Sequence, residues 1–358
     1  MTADEKLPDL ETITIYLTKR FGAVTGVCLK TVNAGAHGVG YRVDYKSVAR
    51  KRDERLIIKT IRPQDFGHDY LSDRASAHLL ANQSYPEMQG HIRCMDVVGY
   101  DGTDLQSLRK CRESFIVLEA ARGAEYFGDF KKILGKKQLS GEDTRKADKL
   151  ATHLAKLHSK KYSGDNAPSL YARKIRDTIG HGECLMGVFD TYSDWNFISR
   201  QDIIEIVQKS IPHWDRLKED HRRLCQVHGD FHPGNIWFYG EELILIDRSR
   251  GIWGEASEDL FTLLIYYLFY ALVEFGEFKG PFRDLFYRVY ERYTNLSWDT
   301  EVLRSAPLFL ASRIPKIVNP NFYPNADEMT RKRLIAFAKN VLDVEKLDIN
   351  GIEDYLVL

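Results

Sequence analysis

Cysteine is scarce in this sequence and shows no pairing pattern. None of the cysteines belongs to a Cys-x-x-Cys pair of the kind that binds zinc or exchanges disulfides. A small secreted domain held by disulfides would carry a dense and even set. The cysteines therefore predict reduced thiols and a cytoplasmic protein. The 358 residues contain five of them: Cys28, Cys94, Cys111, Cys184 and Cys225.

Neither sign of charge is in excess. Lysine plus arginine and aspartate plus glutamate each total 51, so the formal net charge at pH 7 is +0. Proteins that bind nucleic acid or an anionic membrane surface usually carry a basic excess. Neither kind of partner is predicted here. The first ten residues, MTADEKLPDL, lack the apolar core of a secretory signal peptide.

Long hydrophobic runs are almost absent. The one candidate, Leu260 to Val273, is nearly all apolar or aromatic, but it is shorter than the roughly 20 residues that cross a bilayer. It predicts a buried core helix. Hydrophobic residues make up 44% of the chain and charged residues 28%, as in soluble globular proteins. A chain of this length predicts a large core divided into two lobes.

The most informative segment runs from Gln226 to Asp247. A His-Gly-Asp turn ends at Asp230, and Asn235 follows five residues later. A short strand, a turn and a second strand then lead to Asp247. A loop followed by a β-hairpin can bring these three side chains to one end of a sheet. Carboxylate and amide oxygens suit Mg²⁺, and a further carboxylate can accept a proton from a hydroxyl. Phosphoryl transfer needs this set of groups.

The sequence His228-Gly-Asp230-Phe-His232-Pro-Gly-Asn235, followed by Ile246-Asp247, resembles the catalytic and metal loops of the aminoglycoside phosphotransferase-like kinases. That family includes choline, homoserine, methylthioribose and fructosamine kinases. The resemblance implies transfer of the γ-phosphoryl group of ATP to a hydroxyl of a small-molecule acceptor, with ATP and Mg²⁺ as cofactors. It makes Asp230 the catalytic residue and gives Asn235 and Asp247 the role of Mg²⁺ ligands.

The same resemblance implies an α+β, protein kinase-like fold of two lobes. Residues 1–118 would form an N-terminal nucleotide-binding lobe built on an antiparallel sheet, and residues 119–123 a hinge. Residues 124–358 would form a mainly helical C-terminal lobe with the catalytic loop and the acceptor site. Backbone groups of Glu119 and Ala121 in the hinge would bind adenine.

Two upstream features fit a nucleotide site. A glycine-rich turn with Gly35 and Gly38 joins two predicted strands; such glycines let a backbone approach phosphates, although three glycines in a hairpin more often form only a turn.

Lys59 lies inside the apolar strand Leu56 to Ile61, and the resemblance makes it the lysine that holds the phosphates. The alternative is a lysine on an edge strand facing water.

The carboxylate partner of Lys59 departs from the family pattern. Related kinases pair this lysine with a glutamate on the next helix, but the predicted helix 68–82 contains none. Asp73 is the best candidate and Asp69 the next. Further downstream, the family pattern makes His158 structural and uses Asp259 to brace the catalytic loop.

Periodicity predicts the remaining elements. A leading helix starts near Asp9, and two strands precede the hinge. The strands are predicted at residues 92–100 and 114–119, and the helices at 9–21, 143–159, 199–209, 212–224, 281–294, 299–313 and 326–344.

Other interpretations stay open at this point. Asp and Asn are common turn formers, so the loop could be a polar hairpin. His228, Asp230 and His232 could instead hold a transition metal in a metallohydrolase. A protein Ser/Thr kinase, or a nucleotide-binding protein with little turnover, would fit the same scaffold.

The acceptor is the least determined part of the prediction. Arg248 and Arg250 follow the metal ligand, and two guanidinium groups there would repel a polycationic antibiotic and favour a neutral or anionic metabolite. The alternative is that both arginines pair with nearby acids such as Glu255 or Glu258.

Overall fold

A computed structural model describes residues 7–32, 38–62, 68, 71–106, 113–248 and 250–358. The chain divides into two compact units. The first comprises Met1–Arg122 and Ile244–Arg250, and the second Gly123–Leu243 and Gly251–Leu358. The sequence did not predict that the segment 244–250 returns to the first unit.

The first unit is built on an antiparallel sheet with the strand order β1-β2-β3-β6-β4-β5. Helix α1 begins after Asp9, whose carboxylate accepts the Thr12 amide at 2.8 Å, as an N-cap does. The elements are α1 (Leu10–Phe21), β1 (Val24–Val32), β2 (Gly38–Ser47), β3 (Arg52–Ile61), α2 (Leu71–Ser84), β4 (Cys94–Tyr100), β5 (Leu105–Gln106) and β6 (Glu113–Glu119).

One face of this sheet packs against α1. The strands alternate apolar and polar residues, which gives the sheet one apolar face. Ile13 and Leu17 of the helix join Val43, Ile58 and Phe115 of the strands in one buried cluster. The packing holds β3, and with it Lys59, between two neighbouring strands.

The second unit is mainly helical. Its helices are α3 (Phe127–Lys136), α4 (Gly141–His158), α5 (Ala167–Gly180), α6 (Leu185–Phe189), α7 (Arg200–Leu217), α8 (Ala256–Phe275), α9 (Gly280–Ser297), α10 (Val302–Val318) and α11 (Glu328–Val341). Short strands connect them: β7 (Ala124–Glu125), β8 (Cys225–Gln226), β9 (Ile236–Tyr239), β10 (Glu242–Leu245), which leads into the first unit, and β11 (Trp253–Gly254). Strand β7 pairs with β9, and β8 with β11. The predicted α+β, kinase-like fold is confirmed.

Helix α8 is the apolar run seen in the sequence. It has 20 residues and is long and apolar enough to cross a membrane, but 89% of its most apolar window is buried inside the protein. It packs against α9 and α10. This degree of burial is that of a core helix, as predicted from residues 260–273.

Helix α7 corrects one prediction. Residues 199–209 and 212–224 were expected to form two helices broken near Pro212, but one helix runs from Arg200 to Leu217 with Pro212 inside it. Proline removes one backbone hydrogen bond and usually bends a helix. Here the apolar face is buried on both sides of the proline, at Ile206 and Leu217, and this packing keeps the helix continuous.

Candidate active site

The loop at residues 228–235 is held from beneath by Asp259, in the first turn of α8. Its Oδ2 accepts the backbone amide of His228 at 2.6 Å, and its Oδ1 accepts that of Gly229 at 2.8 Å. Gly229 has a φ of 86°, a conformation that favours glycine. The bracing role predicted for Asp259 is confirmed.

Asp259 is itself fixed by His158. The His158 Nε2 lies 3.2 Å from Asp259 Oδ2, and its Nδ1 lies 2.9 Å from the hydroxyl of Tyr293. Burial alone would raise the pKa of Asp259, but the hydrogen bond and charge of His158 hold it below the ordinary value. The carboxylate is therefore ionised when it accepts the two amides, and His158 is structural, as predicted.

The carboxylate of Asp230 lies next to a cation that the sequence analysis missed. Arg313 Nη1 donates to Asp230 Oδ1 at 2.7 Å, across 83 positions of the chain. The side chain of Asp230 keeps 17% of its surface exposed, so an acceptor hydroxyl can reach it. Its backbone carbonyl accepts the Nδ2 of Asn235 at 3.0 Å.

Arg313 is buried on α10. Its Nη2 donates to the hydroxyl of Tyr266 at 3.0 Å, and that hydroxyl lies 2.8 Å from the hydroxyl of Tyr323. The guanidinium also lies 5.4 Å from the centre of the Tyr266 ring. An arginine that follows the mostly apolar stretch 306–311 of this helix was the one signal in the sequence that could have revealed it.

Of the two polar atoms of the Asn235 side chain, only the oxygen suits a cation. It is buried, and its Nδ2 is engaged by the Asp230 carbonyl. The amide oxygen is therefore the atom suited to a hard cation such as Mg²⁺. The oxygen chemistry of Asn235 suits the predicted metal, and the ligand roles of Asn235 and Asp247 stay predictions.

The two histidines of the loop serve the turn. His228 Nδ1 accepts the amide of Asp230 at 3.3 Å, and His232 Nδ1 accepts the amide of Gly234 at 3.1 Å. Burial lowers the pKa of His232 to about 3. No group of three or more His, Cys, Asp or Glu side chains suited to a metal occurs among the described residues. A metallohydrolase site at His228, Asp230 and His232 is not supported.

In the first unit, Lys59 forms an ion pair with Asp247. The side chain of Lys59 is 17% exposed and that of Asp247 28%. Asp247 reaches this position with a φ of 61°, which is uncommon outside glycine. The edge-strand interpretation of Lys59 is wrong, because β3 lies between β2 and β6.

The position opposite Lys59 on β2 has no room for a side chain. Gly40 pairs with Lys59 in the register of β2 and β3, and a Cβ on Gly40 would lie 2.1 Å from the Ile58 carbonyl oxygen. Gly38, the first residue of β2, pairs with Ile61. Gly35 falls outside the described residues, and the phosphate-binding role of both predicted glycines stays a prediction.

The remaining residues predicted to contact the nucleotide lie on α2 and at the end of β6. Asp73 is half-buried in the first turn of α2; its pairing with Lys59 stays a prediction, and Asp69 lies outside the described residues. Glu119 ends β6 and binds Arg93 at 2.9 Å. Its amide donates to the Arg93 carbonyl at 3.2 Å. Ala121 is half-buried, and adenine binding by Glu119 and Ala121 stays a prediction.

Arg248 does not suit the acceptor role predicted for it. Its side chain is fully buried, and its Nη1 donates to the Ser84 carbonyl at 2.9 Å. The Ser84 hydroxyl donates to the Arg248 carbonyl at 3.0 Å. These contacts tie the segment after Asp247 to the end of α2, so the prediction for Arg248 is wrong. Arg250 is half-buried, and its role stays a prediction.

Comparisons with known proteins agree with this geometry. The model of the phosphotransferase enzyme family (APH) matches residues 49–294. No curated protein matches the chain.

Several solved structures are similar. A thermostable mutant of aminoglycoside phosphotransferase APH(4)-Ia, with ADP and hygromycin B, has a TM-score of 0.50 at 11% identity and covers 96% of this chain and 98% of its own. The GDP and kanamycin complex of APH(2")-IIia has a TM-score of 0.50 at 12% identity, with 92% and 97% covered. Plasmodium vivax ethanolamine kinase has a TM-score of 0.49 at 10% identity, with 95% and 84% covered. The two structures at 0.50 share the fold.

Proposed function

The chain belongs to the phosphotransferase enzyme family, which matches more than half of it, and we propose that Asp230 directs its transfer reaction. The enzyme is ATP-dependent and acts on a hydroxyl of a small-molecule acceptor. Asp230 orients that hydroxyl and accepts its proton as the γ-phosphoryl group is transferred.

One observation carries the role of Asp230. Its carboxylate is partly exposed, held at one oxygen by Arg313, and placed on a loop whose backbone is fixed by Asp259. A residue that orients a nucleophile must be both accessible and rigid. Asp230 meets both conditions. A polar hairpin that uses Asp230 only as a turn former would not need the arginine.

Three further residues would bind the nucleotide or its metal: Lys59, Asp247 and Asn235. Lys59 would bind the phosphates, and Asn235 and Asp247 would hold Mg²⁺ through their oxygens. When bound, Mg²⁺ neutralises negative charge on the phosphates. The chemistry of these donors, one carboxylate and one amide whose nitrogen is engaged elsewhere, supports this assignment.

A small molecule is favoured over a protein as the acceptor. The similar phosphotransferase structures were solved with hygromycin B and with kanamycin, and we carry a small acceptor over to this chain. A cytoplasmic location is part of the same proposal. It is supported by the free thiols of Cys28, Cys94, Cys184 and Cys225.

An ATP-consumption screen with the purified full chain tests the proposal. Hydroxyl-bearing metabolites and antibiotics would be offered with ATP and Mg²⁺, beside generic protein substrates, and Asp230→Asn would run in parallel. We expect a phosphorylated small molecule from the wild type only. Turnover confined to proteins, or turnover that needs bound Zn or Fe and ignores Mg²⁺, would overturn the proposal.

A further inference from the structure

Arg313 contacts the Asp230 carboxylate directly, and the proposed function uses it only as a group that holds that carboxylate. We infer that Arg313 positions Asp230 for the acceptor and makes this site select against acceptors that carry an ammonium group beside the reacting hydroxyl. The inference rests on the proposed function, and it names the charge class of the acceptor.

The positioning role follows from the contacts at both ends of the guanidinium. Nη1 binds Asp230 Oδ1 at 2.7 Å, and Nη2 binds the Tyr266 hydroxyl at 3.0 Å. Tyr323 fixes the Tyr266 hydroxyl in turn at 2.8 Å. Because Arg313 is planar and buried, it restricts the Asp230 carboxylate to one orientation. An acceptor hydroxyl that reaches Asp230 therefore meets a carboxylate already held by a guanidinium.

The selection follows from where the positive charge lies. An acceptor hydroxyl bonded to Asp230 would lie within roughly 6 Å of a guanidinium that is 2.7 Å from the same carboxylate. A substrate ammonium that approached Asp230 would compete with Arg313 for Oδ1. At this distance and with partial burial, an acceptor with a negative substituent should bind about 10- to 100-fold more tightly than one with a positive substituent.

The same charge is favourable to an anion. A carboxylate or phosphate next to the reacting hydroxyl would meet the guanidinium, which binds such groups well. Lys316 lies one turn further along α10. Burial is the main cause of the lowered pKa of His232; the charges of Arg313 and Lys316 lower it further, and that of Asp230 raises it. The acceptor class is therefore neutral or anionic.

Variants of Arg313 separate positioning from simple stability. Arg313→Met should lower kcat about 10- to 100-fold and raise KM for the acceptor, with KM for ATP unchanged, and Arg313→Lys should restore part of kcat. The double variant Asp230→Asn/Arg313→Met should be no slower than Asp230→Asn, because Arg313 acts through Asp230. Arg304→Met is the matched control, since Arg304 lies on the same helix in an exposed ion pair with Glu301.

Matched acceptors test the selection. Three compounds that differ in one substituent, such as glycerate, glycerol and 3-amino-1,2-propanediol, would be compared, with the same substitution repeated on the best acceptor found. We expect kcat/KM to be lowest for the ammonium form in the wild type, and Arg313→Met to lose this preference.

The outcomes that overturn the inference are distinct from those that overturn the proposed function. Best turnover with the ammonium form, additive effects in the double variant, or full turnover in Arg313→Met would reject the role of Arg313 while leaving a kinase. Failure of the wild type to phosphorylate any acceptor would instead reject the proposed function.

Discussion

The carboxylate of Asp259 accepts the backbone amide of His228 at 2.6 Å. The same carboxylate accepts the next amide, that of Gly229, through its other oxygen. Both oxygens of a fully buried anion are thus engaged by one turn of backbone. The buried helix α8, which carries Asp259, thereby sets the position of the loop that carries Asp230.

Replacing the Asp259 carboxylate should release the loop that carries Asp230 from helix α8. In Asp259→Asn the side-chain NH₂ would face an amide donor, so one of the two loop amides would be left buried without an acceptor. We expect the free energy of unfolding to fall by about 2–4 kcal/mol and kcat to fall by more than about 10-fold. Urea denaturation and steady-state kinetics measure both.

Asp148→Asn is the control for this prediction. Asp148 forms an exposed pair with Arg288 in the same unit, so the change should cost less than about 1 kcal/mol. If Asp259→Asn were as stable and as active as Asp148→Asn, the bracing role would be refuted.

The ion pair of Lys59 and Asp247 leads to a prediction about nucleotide binding. Lys59→Met should raise the Kd for the non-hydrolysable nucleotide AMP-PNP with Mg²⁺ by about 10-fold or more, because a charged hydrogen bond to phosphate is lost. Removing Mg²⁺ should weaken binding to the wild type more than to Asp247→Ala, which lacks the carboxylate proposed to hold the metal. Calorimetric titration with and without Mg²⁺ gives these values.

Two further variants complete this test. Arg55→Met, on the same strand in an exposed pair with Asp44, should bind as the wild type does. Asp73→Ala examines the partner predicted from the sequence: non-additive effects with Lys59→Met would support that pair. Normal nucleotide affinity in Lys59→Met would remove Lys59 from the site.

Much of the fold could be predicted from patterns among residues that are close in the sequence. The cap of Asp9 on α1, the buried run inside α8 and the bracing Asp259 all depend on residues within a few turns of one another or on a known loop pattern. Such short-range relations have sequence rules, because helix geometry and turn chemistry fix which residues meet.

The parts that failed depend on long-range contacts. Arg313 meets Asp230 from 83 residues away, and Arg248 meets Ser84 from 164. No periodicity relates such pairs. The sequence placed two arginines near the acceptor because of their position beside Asp247, but burial turned Arg248 into a structural contact. The cation that pairs with the Asp230 carboxylate lies on α10 instead.

A half-buried histidine next to the loop predicts how stability depends on pH. The ring of His153 stacks against that of Phe231, with centroids 6.2 Å apart. Burial, helped by His228 and His158, lowers the pKa of His153 to about 4. The unfolded chain, with a pKa near about 6.5, then binds more protons between these values. Stability is therefore full above about pH 6.5 and falls as pH decreases toward about 4.

The variant His153→Phe tests this origin. It keeps a ring against Phe231 but removes the titrating group. Its free energy of unfolding should fall less steeply with decreasing pH, by up to about 1.4 kcal/mol per pH unit within the window. Denaturation at several pH values between about 7.5 and 4.5 compares the two proteins. Parallel curves would show that His153 does not contribute.

The turnover of Asp230→Asn tests whether Asp230 accepts the proton of the acceptor hydroxyl. The variant keeps the shape of the side chain but cannot accept a proton from the acceptor hydroxyl. We predict unchanged AMP-PNP affinity, a folded protein with a lower unfolding midpoint because buried Arg313 loses its charge partner, and a kcat lower by roughly 10²- to 10⁴-fold. Near-normal kcat in a folded, nucleotide-binding Asp230→Asn would show that Asp230 does not direct the transfer.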